Sequence, residues 1–229
     1  LTNLPLLYLL LVYLFLLGPL FVVIGASFNS AQAYPSKFVS FSMRWYNQLM
    51  HHDEFIKSLL VSTRVGAIAA GLALLLGIPL SIILVRRNFK GKEAVNAFFL
   101  TPLILPQVAL SIATLQMFSL LKIKLSEGTL IVAHTVIIMP YVLRSVMASL
   151  QFVNISLEES AMNLGANPLK TFFHITLPLI KSGVTAGFIL SFILSFINVP
   201  LSLFISSAST TTLPIRVFAH MESRLDPLI

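Results

Sequence analysis

An all-α integral membrane bundle is the fold class this sequence predicts, and three observations carry the prediction. Of 229 residues, 57% are hydrophobic and only 10% charged, against about 25% charged residues in a soluble domain. The apolar residues gather into runs that reach the roughly 20 residues a spanning helix needs. Those runs are long and nearly free of charge, which points to helices rather than a β-barrel. The absence of cysteine excludes disulfides, thiolate catalysis and cysteine-based metal sites. A net charge of +7 is spread over short loops between the runs, which argues against nucleic-acid binding.

The first predicted span covers residues 4–26. Leu4 to Phe28 carries no charge and no basic stretch precedes it. At about 25 residues it exceeds the 7–15 of a signal-peptide core, so it reads as a retained span. The start at Leu1 rather than Met points to N-terminal sequence missing from the chain. A loop follows that contains FSMRWYNQLM, residues 41–50. Trp45 and Tyr46 suit the membrane interface, so a short helix along the outer surface is expected there. His51, His52, Asp53 and Glu54 have metal-ligand chemistry, but contiguous residues rarely converge on one ion, so an external gate or a partner contact is the reading and no metal is assigned.

The second span is predicted at residues 58–85, the third at 95–121, the fourth at 129–150 and the fifth at 183–205. Pro102 and Pro106 should kink the start of the third and free backbone carbonyls, and Pro200 should do the same in the fifth. Arg64 and Arg144 stand near span ends, where long side chains snorkel to water. After Ile205 come a polar turn, 206–212, and a segment with Arg216, Glu222, Arg224 and Asp226 that is too charged to span. Pro227, Leu228 and Ile229 stand where a further span would begin. The whole chain, 1–229, reads as one transmembrane domain.

Orientation follows from charge. Arg86, Arg87, Lys90 and Lys92 crowd one short loop, whereas the first loop has only Lys37, Arg44 and Lys57 over about 30 residues. Dense basic loops stay in the cytoplasm. By alternation the loop 151–181 and the N-terminus are cytoplasmic as well, with Lys122 and Lys124 a mild counter-signal.

The loop 151–181 holds the longest polar interruption in the second half of the chain, EESAMNLGANPLKTFFHITLP, residues 158–178. Ser156 and Glu159 have the spacing of a capping box. A short helix from there should run to about Leu164 and end at Gly165 in the left-handed conformation. Asn167 and Pro168 then suit a new N-cap and first helical position. That second helix should continue through Lys170, Phe172 and Phe173 toward Ile175, and Pro178 should turn the chain into the fifth span. Leu164, Leu169, Phe172 and Phe173 leave apolar side chains on a segment too short to form a core. Such a segment either packs under its own bundle or fills a groove on a partner.

Glu159-Ser160-Ala161, three residues, Gly165-Ala166, and then Ile175-Thr176-Leu177-Pro178 resemble the EAA loop of permease subunits in binding-protein-dependent ABC importers. Ser160 stands where the pattern has alanine, and both are small. FSMRWYNQL (41–49), the basic loop 86–92, TPLILPQVALSIATL (101–115) and TTTLPIRVF (210–218) look like the spermidine/putrescine-type branch. The resemblance implies the type I ABC importer (MetI-like) permease bundle of six helices, five visible here and the last missing from this chain. It implies a place in the bacterial cytoplasmic (inner) membrane. It implies that the loop forms coupling helices seated on ATPases, with Glu159, Ala161, Gly165, Ala166, Pro168, Phe172 and Pro178 as coupling residues. Glu159 would have a capping role and an ionic contact to the ATPase. The implied partners are two ATP-binding cassette ATPases, a second permease of the same or a related chain, and an extracytoplasmic substrate-binding protein.

No phosphate-loop pattern G-x-x-x-x-G-K-[ST] occurs in the sequence, and FKGKEA (89–94) lacks the glycine spacing. This chain is therefore read as a non-enzyme that binds no cofactor, with ATP and magnesium on the partner ATPases.

Polar residues inside spans are costly and usually functional. Gln107 and Gln116 in the third span, His134 in the fourth and Asn198 in the fifth are candidates for the translocation pathway. The bland alternative for each is a hydrogen bond to a neighbouring helix. No Asp or Glu lies inside any predicted span, which weakens the competing reading of an ion-gradient-driven transporter or channel. The resembling polyamine permeases carry carboxylates where this chain has Gln107 and Ile197-Asn198. The cargo expected is a polyamine or related amino compound, with an opine-like compound or an organophosphonate as alternatives.

Overall fold

Helices account for nearly all the regular structure among the described residues, as an apolar sequence requires when backbone groups must be satisfied without water. The computed structural model describes residues 4–30, 38–207 and 209–223. Lys37, Arg224, Asp226 and the expected beginning of a further span at 227–229 lie outside the described residues. The chain forms two compact units, residues 1–57 with 216–229, and residues 58–215.

In the first unit, α1 (Leu4–Ser27) is continuous through Pro19 and buries none of its apolar window. After it, Asn29 and Phe41 form an antiparallel bridge. The short helix expected around residues 41–50 is α2 (Arg44–Met50). Trp45, however, is not a free interfacial ring. It is buried, its Nε1–H donates to the Asn29 carbonyl at 2.8 Å, and the Arg44 guanidinium lies over it at 5.3 Å. Its indole thus satisfies a backbone carbonyl of the loop. The residues 51–54 disperse: His51 Nδ1 meets the Asn47 carbonyl at 2.8 Å, His52 packs edge-on against Phe55, and Glu54 pairs with Arg216 at 2.8 Å.

The second unit is built around α6 (Glu127–Gln151), whose buried face includes Leu130, Ile138, Val142, Val146 and Leu150. This helix starts two residues before the predicted span because Ser126 caps it. Ser126 Oγ accepts from the Thr129 N–H, and Thr129 Oγ1 accepts from the Ser126 N–H, a reciprocal capping box. α3 (Asp53–Arg86) likewise begins five residues early, with Asp53 and Glu54 in its first turn, where carboxylates complement the helix dipole. Arg64, in the body of α3, makes a two-pronged ion pair with Glu127. Arg144 is exposed on α6.

Two predicted spans are not straight helices. The third is α4 (Lys92–Leu100), a 3-10 turn Thr101–Leu103, and α5 (Gln107–Leu120), bent by 104°. Pro106 disfavours the helical conformation at Leu105 and is itself extended, with φ −57° and ψ 126°. The expected kink is therefore a full break. The fifth is α10 (Lys181–Phe196) and α11 (Val199–Ile205), parted at Ile197 and Asn198. Among the described residues three helices, α1, α3 and α6, are long and apolar enough to cross a membrane, or up to five if the bent third span and a second bent pair, Pro168–Leu179 with Lys181–Phe196, each count as one span.

α10 lies against α6 along a stripe of small residues, Gly183, Gly187, Ser191 and Ser195, all buried. A Cβ at Gly183 would stand 2.6 Å from the Ser145 carbonyl oxygen and also strike the Ser149 side chain. This is the close backbone approach that small residues at four-residue spacing permit between membrane helices. The last described helix, α12 (Leu213–Ser223), has 11 residues, which at 1.5 Å per residue is about half a bilayer core.

Candidate functional site

Between α6 and α10 the chain makes two helical arms around a glycine. The first arm, α7 (Ile155–Asn163), is capped by Asn154, whose Oδ1 accepts from the Ser156 N–H at 3.1 Å. The expected capping box of Ser156 and Glu159 is thus not formed, because the helix begins at Ile155 and Ser156 is already inside it. Glu159 is exposed and has no capping role.

The arm ends as predicted at Gly165, φ +93°. The Gly165 N–H donates to Met162 and the Ala166 N–H to Ala161, both at 3.0 Å. These two bonds are the Schellman pair that satisfies the last carbonyls of a helix. Ala161 and Ala166 are therefore bonded through their backbones across the turn, and both are half-buried.

The second arm begins with Asn167, whose Oδ1 accepts from the Lys170 N–H at 2.8 Å, and Pro168 in the first turn of α8 (Pro168–Thr171). It continues as a π turn, Phe172–Thr176, into α9 (Leu177–Leu179). The Leu177 N–H bonds the Phe172 carbonyl, five residues back. That wider register directly precedes Pro178, which has no N–H to continue a normal ladder. The turn into α10 comes two residues after Pro178, at Ile180, with a bend of 72°.

Both ends of this loop are fixed in one apolar cluster. Val153 at the entrance and Ile180 at the exit are buried with Ala69, Ala70, Ala73, Val142 and Leu150. The tips are not covered: Leu164 is 90% exposed, Leu169 69% and Phe173 57%, while Phe172 is half-buried against Phe173. Among the described residues, then, Leu164, Leu169 and Phe173 are not covered by the bundle.

Glu159, Pro168 and Phe172 come together in the lining of one cavity of about 520 Å³, with Arg86, Glu158 and Thr176. Sequence reasoning missed the last three as site residues. Arg86 donates from Nη2 to the Val153 carbonyl and to Glu158 Oε1, each at 3.1 Å, and Thr176 Oγ1 donates to the same Oε1 at 3.1 Å. Nothing local flags these partners, since Arg86 is 72 residues from Glu158.

The four pathway candidates are not brought together. Gln107 and Gln116 are exposed on α5. His134 is buried, with Nδ1 2.7 Å from Ser195 Oγ and Nε2 3.3 Å from Ser202 Oγ, so it joins α6 to both α10 and α11. Asn198 is buried and caps α11, its Oδ1 accepting from the Leu201 N–H at 2.9 Å. The helix–helix bond weighed for His134 is thus present, and Asn198 uses its carbonyl oxygen at the break in the fifth span.

Residues 73–221 match the family described as binding-protein-dependent transport system inner membrane component. The chain is 30% identical over 220 residues to the spermidine/putrescine transport system permease protein of Haemophilus influenzae, covering 96% of this chain and 85% of that protein. It is 33% identical over 228 residues to the putrescine transport system permease protein of Escherichia coli K12, covering 96% and 81%. Among solved structures, it resembles a bacterial ABC transporter involved in import of the acidic polysaccharide alginate, with a TM-score of 0.70, 16% identity, and coverage of 94% and 77%. That last likeness is one of fold.

Proposed function

This chain belongs to the family of binding-protein-dependent transport system inner membrane components and is the permease subunit of an ABC importer; from that premise we propose that it carries a small polyamine-like amine and takes its driving energy through the loop 151–181. The observation that supports the coupling role is the uncovered apolar tip, Leu164, Leu169 and Phe173, on a loop whose two ends are fixed in the core. A groove on each of two ATPase subunits is the cover such a tip fits. Glu159, exposed on the same arm and free of a capping role, is the group available for an ionic contact to that partner.

In the same proposal the loops 86–92 and 151–181 and the N-terminus face the cytoplasm of a bacterial inner membrane. A second permease completes a type I bundle of the six-helix kind, and an extracytoplasmic binding protein delivers the cargo. The amine class is supported by the printed names of the two permeases above. Every described carboxylate stands at a helix end or outside the spans: Asp53, Glu54, Glu93, Glu127, Glu158, Glu159 and Glu222. A polyamine desolvated in the membrane needs anionic partners, and these would come from the second permease.

The test is uptake of radiolabelled putrescine into proteoliposomes that hold this chain, its companion permease and the ATPases. Uptake that requires both ATP and the binding protein is the expected result. Uptake driven by a proton or sodium gradient alone would overturn the proposal.

A further inference from the structure

The loop is fixed to the bundle at its two ends and changes direction at Gly165 and Ile180, and a single carboxylate oxygen ties its two arms to a third helix. Glu158 Oε1 accepts from Arg86 at the end of α3 and from Thr176 on the second arm. Arg86 also holds the Val153 carbonyl at the loop entrance. Glu158 and Thr176 lie on opposite sides of the glycine turn, 18 residues apart. α3 is not adjacent in sequence to the loop, so no covalent connection would make it follow the loop.

Packing joins α3 to the two ends of the loop, where Val153 and Ile180 lie with Ala69, Ala70 and Ala73, but not across the arms. The space between the end of α3 and the two arms is the 520 Å³ cavity, and Ile82, Met162 and Phe172 line it without filling it. The polar tie spans that gap. Its side chains are only 14% and 13% exposed, so water screens the pair far less than a surface ion pair.

We propose that Glu158, Arg86 and Thr176 are positioning residues that lock both arms of the loop to the end of α3, so that a displacement of the loop is passed to α3 as movement of one rigid body. The proposal rests on the coupling role of the loop given above.

The chain has no cysteine, so Ile83→Cys and Leu164→Cys, 47% and 90% exposed, accept spin labels at two chosen points. In the assembled complex with its ATPases, the distance between them should be narrow and the same with and without ATP. Thr176→Val removes one donor while keeping the shape, and Glu158→Gln removes the charge. Each should broaden that distance and lower binding-protein-stimulated ATP hydrolysis by about tenfold, the equivalent of one hydrogen bond to a charged group. Thr176→Ser, which keeps the hydroxyl, should behave as the parent. An unchanged distance in Thr176→Val and Glu158→Gln overturns the proposal, as does Thr176→Ser failing like Thr176→Val. If the parent chain does not retain the ATPases at all, the coupling role fails instead.

Discussion

Neighbouring glutamates at 158 and 159 show how far chemistry at one position depends on direction. Glu159 is exposed and makes no hydrogen bond or ion pair among the described residues, whereas Glu158 accepts from Arg86 and Thr176. Glu159→Ala should therefore leave the thermal stability of the purified permease within about 0.5 kcal/mol. Retention of the ATPase subunits on affinity purification should fall. Gly165→Asp acts on the same contact through the backbone, because φ +93° is strained for a residue with a Cβ. It should assemble poorly with the ATPases, and normal cargo-stimulated hydrolysis in that variant would show that the turn is not needed. Asn198 works differently, as a cap inside the bundle. Asn198→Ala should destabilise by about 1 kcal/mol, the usual loss for an N-cap, and Asn198→Ser should recover most of it in a thermal unfolding assay.

Helices that meet proline show the rules at the scale of elements. Pro19, Pro79 and Pro140 lie inside continuous helices, a placement that membrane helices tolerate. Pro106 instead breaks its span. The difference is not written in the proline itself. Pro106 comes four residues after Pro102, so the intervening turn has lost two donors and closes as a 3-10 turn before the chain changes direction. The stripe from Gly183 to Ser195 is equally a property of two elements together. Gly183→Leu should separate α10 from α6, since a Cβ there already meets the Ser145 carbonyl oxygen at 2.6 Å. The expected result is loss of the folded permease from membranes on a detergent-stability profile, whereas Thr185→Leu, on the exposed side of α10, should be tolerated.

For the whole molecule, the division of labour follows from membership of the importer-permease family. The chain has no phosphate loop, and its described carboxylates stand at helix ends or in loops. Proteoliposome uptake should therefore persist when an ionophore collapses the proton gradient and stop when ATP is withdrawn. Much of this was legible in the sequence. Composition and run length fix an all-α membrane chain, because roughly 20 apolar residues have no other stable arrangement than a helix in lipid. Capping chemistry is also local, so the turn at Gly165 and the restart at Asn167-Pro168 were readable within a window of a few residues. Tertiary structure alone decided the rest. The tie from Arg86 to Glu158, the triad of His134 with Ser195 and Ser202, and the burial of Trp45 join residues separated by 16 to 72 positions. No periodicity records such pairs, because they depend on which faces of separate helices meet. The break in the third span belongs to both levels: the prolines announce a disturbance, and its angle of 104° is visible only in the folded chain.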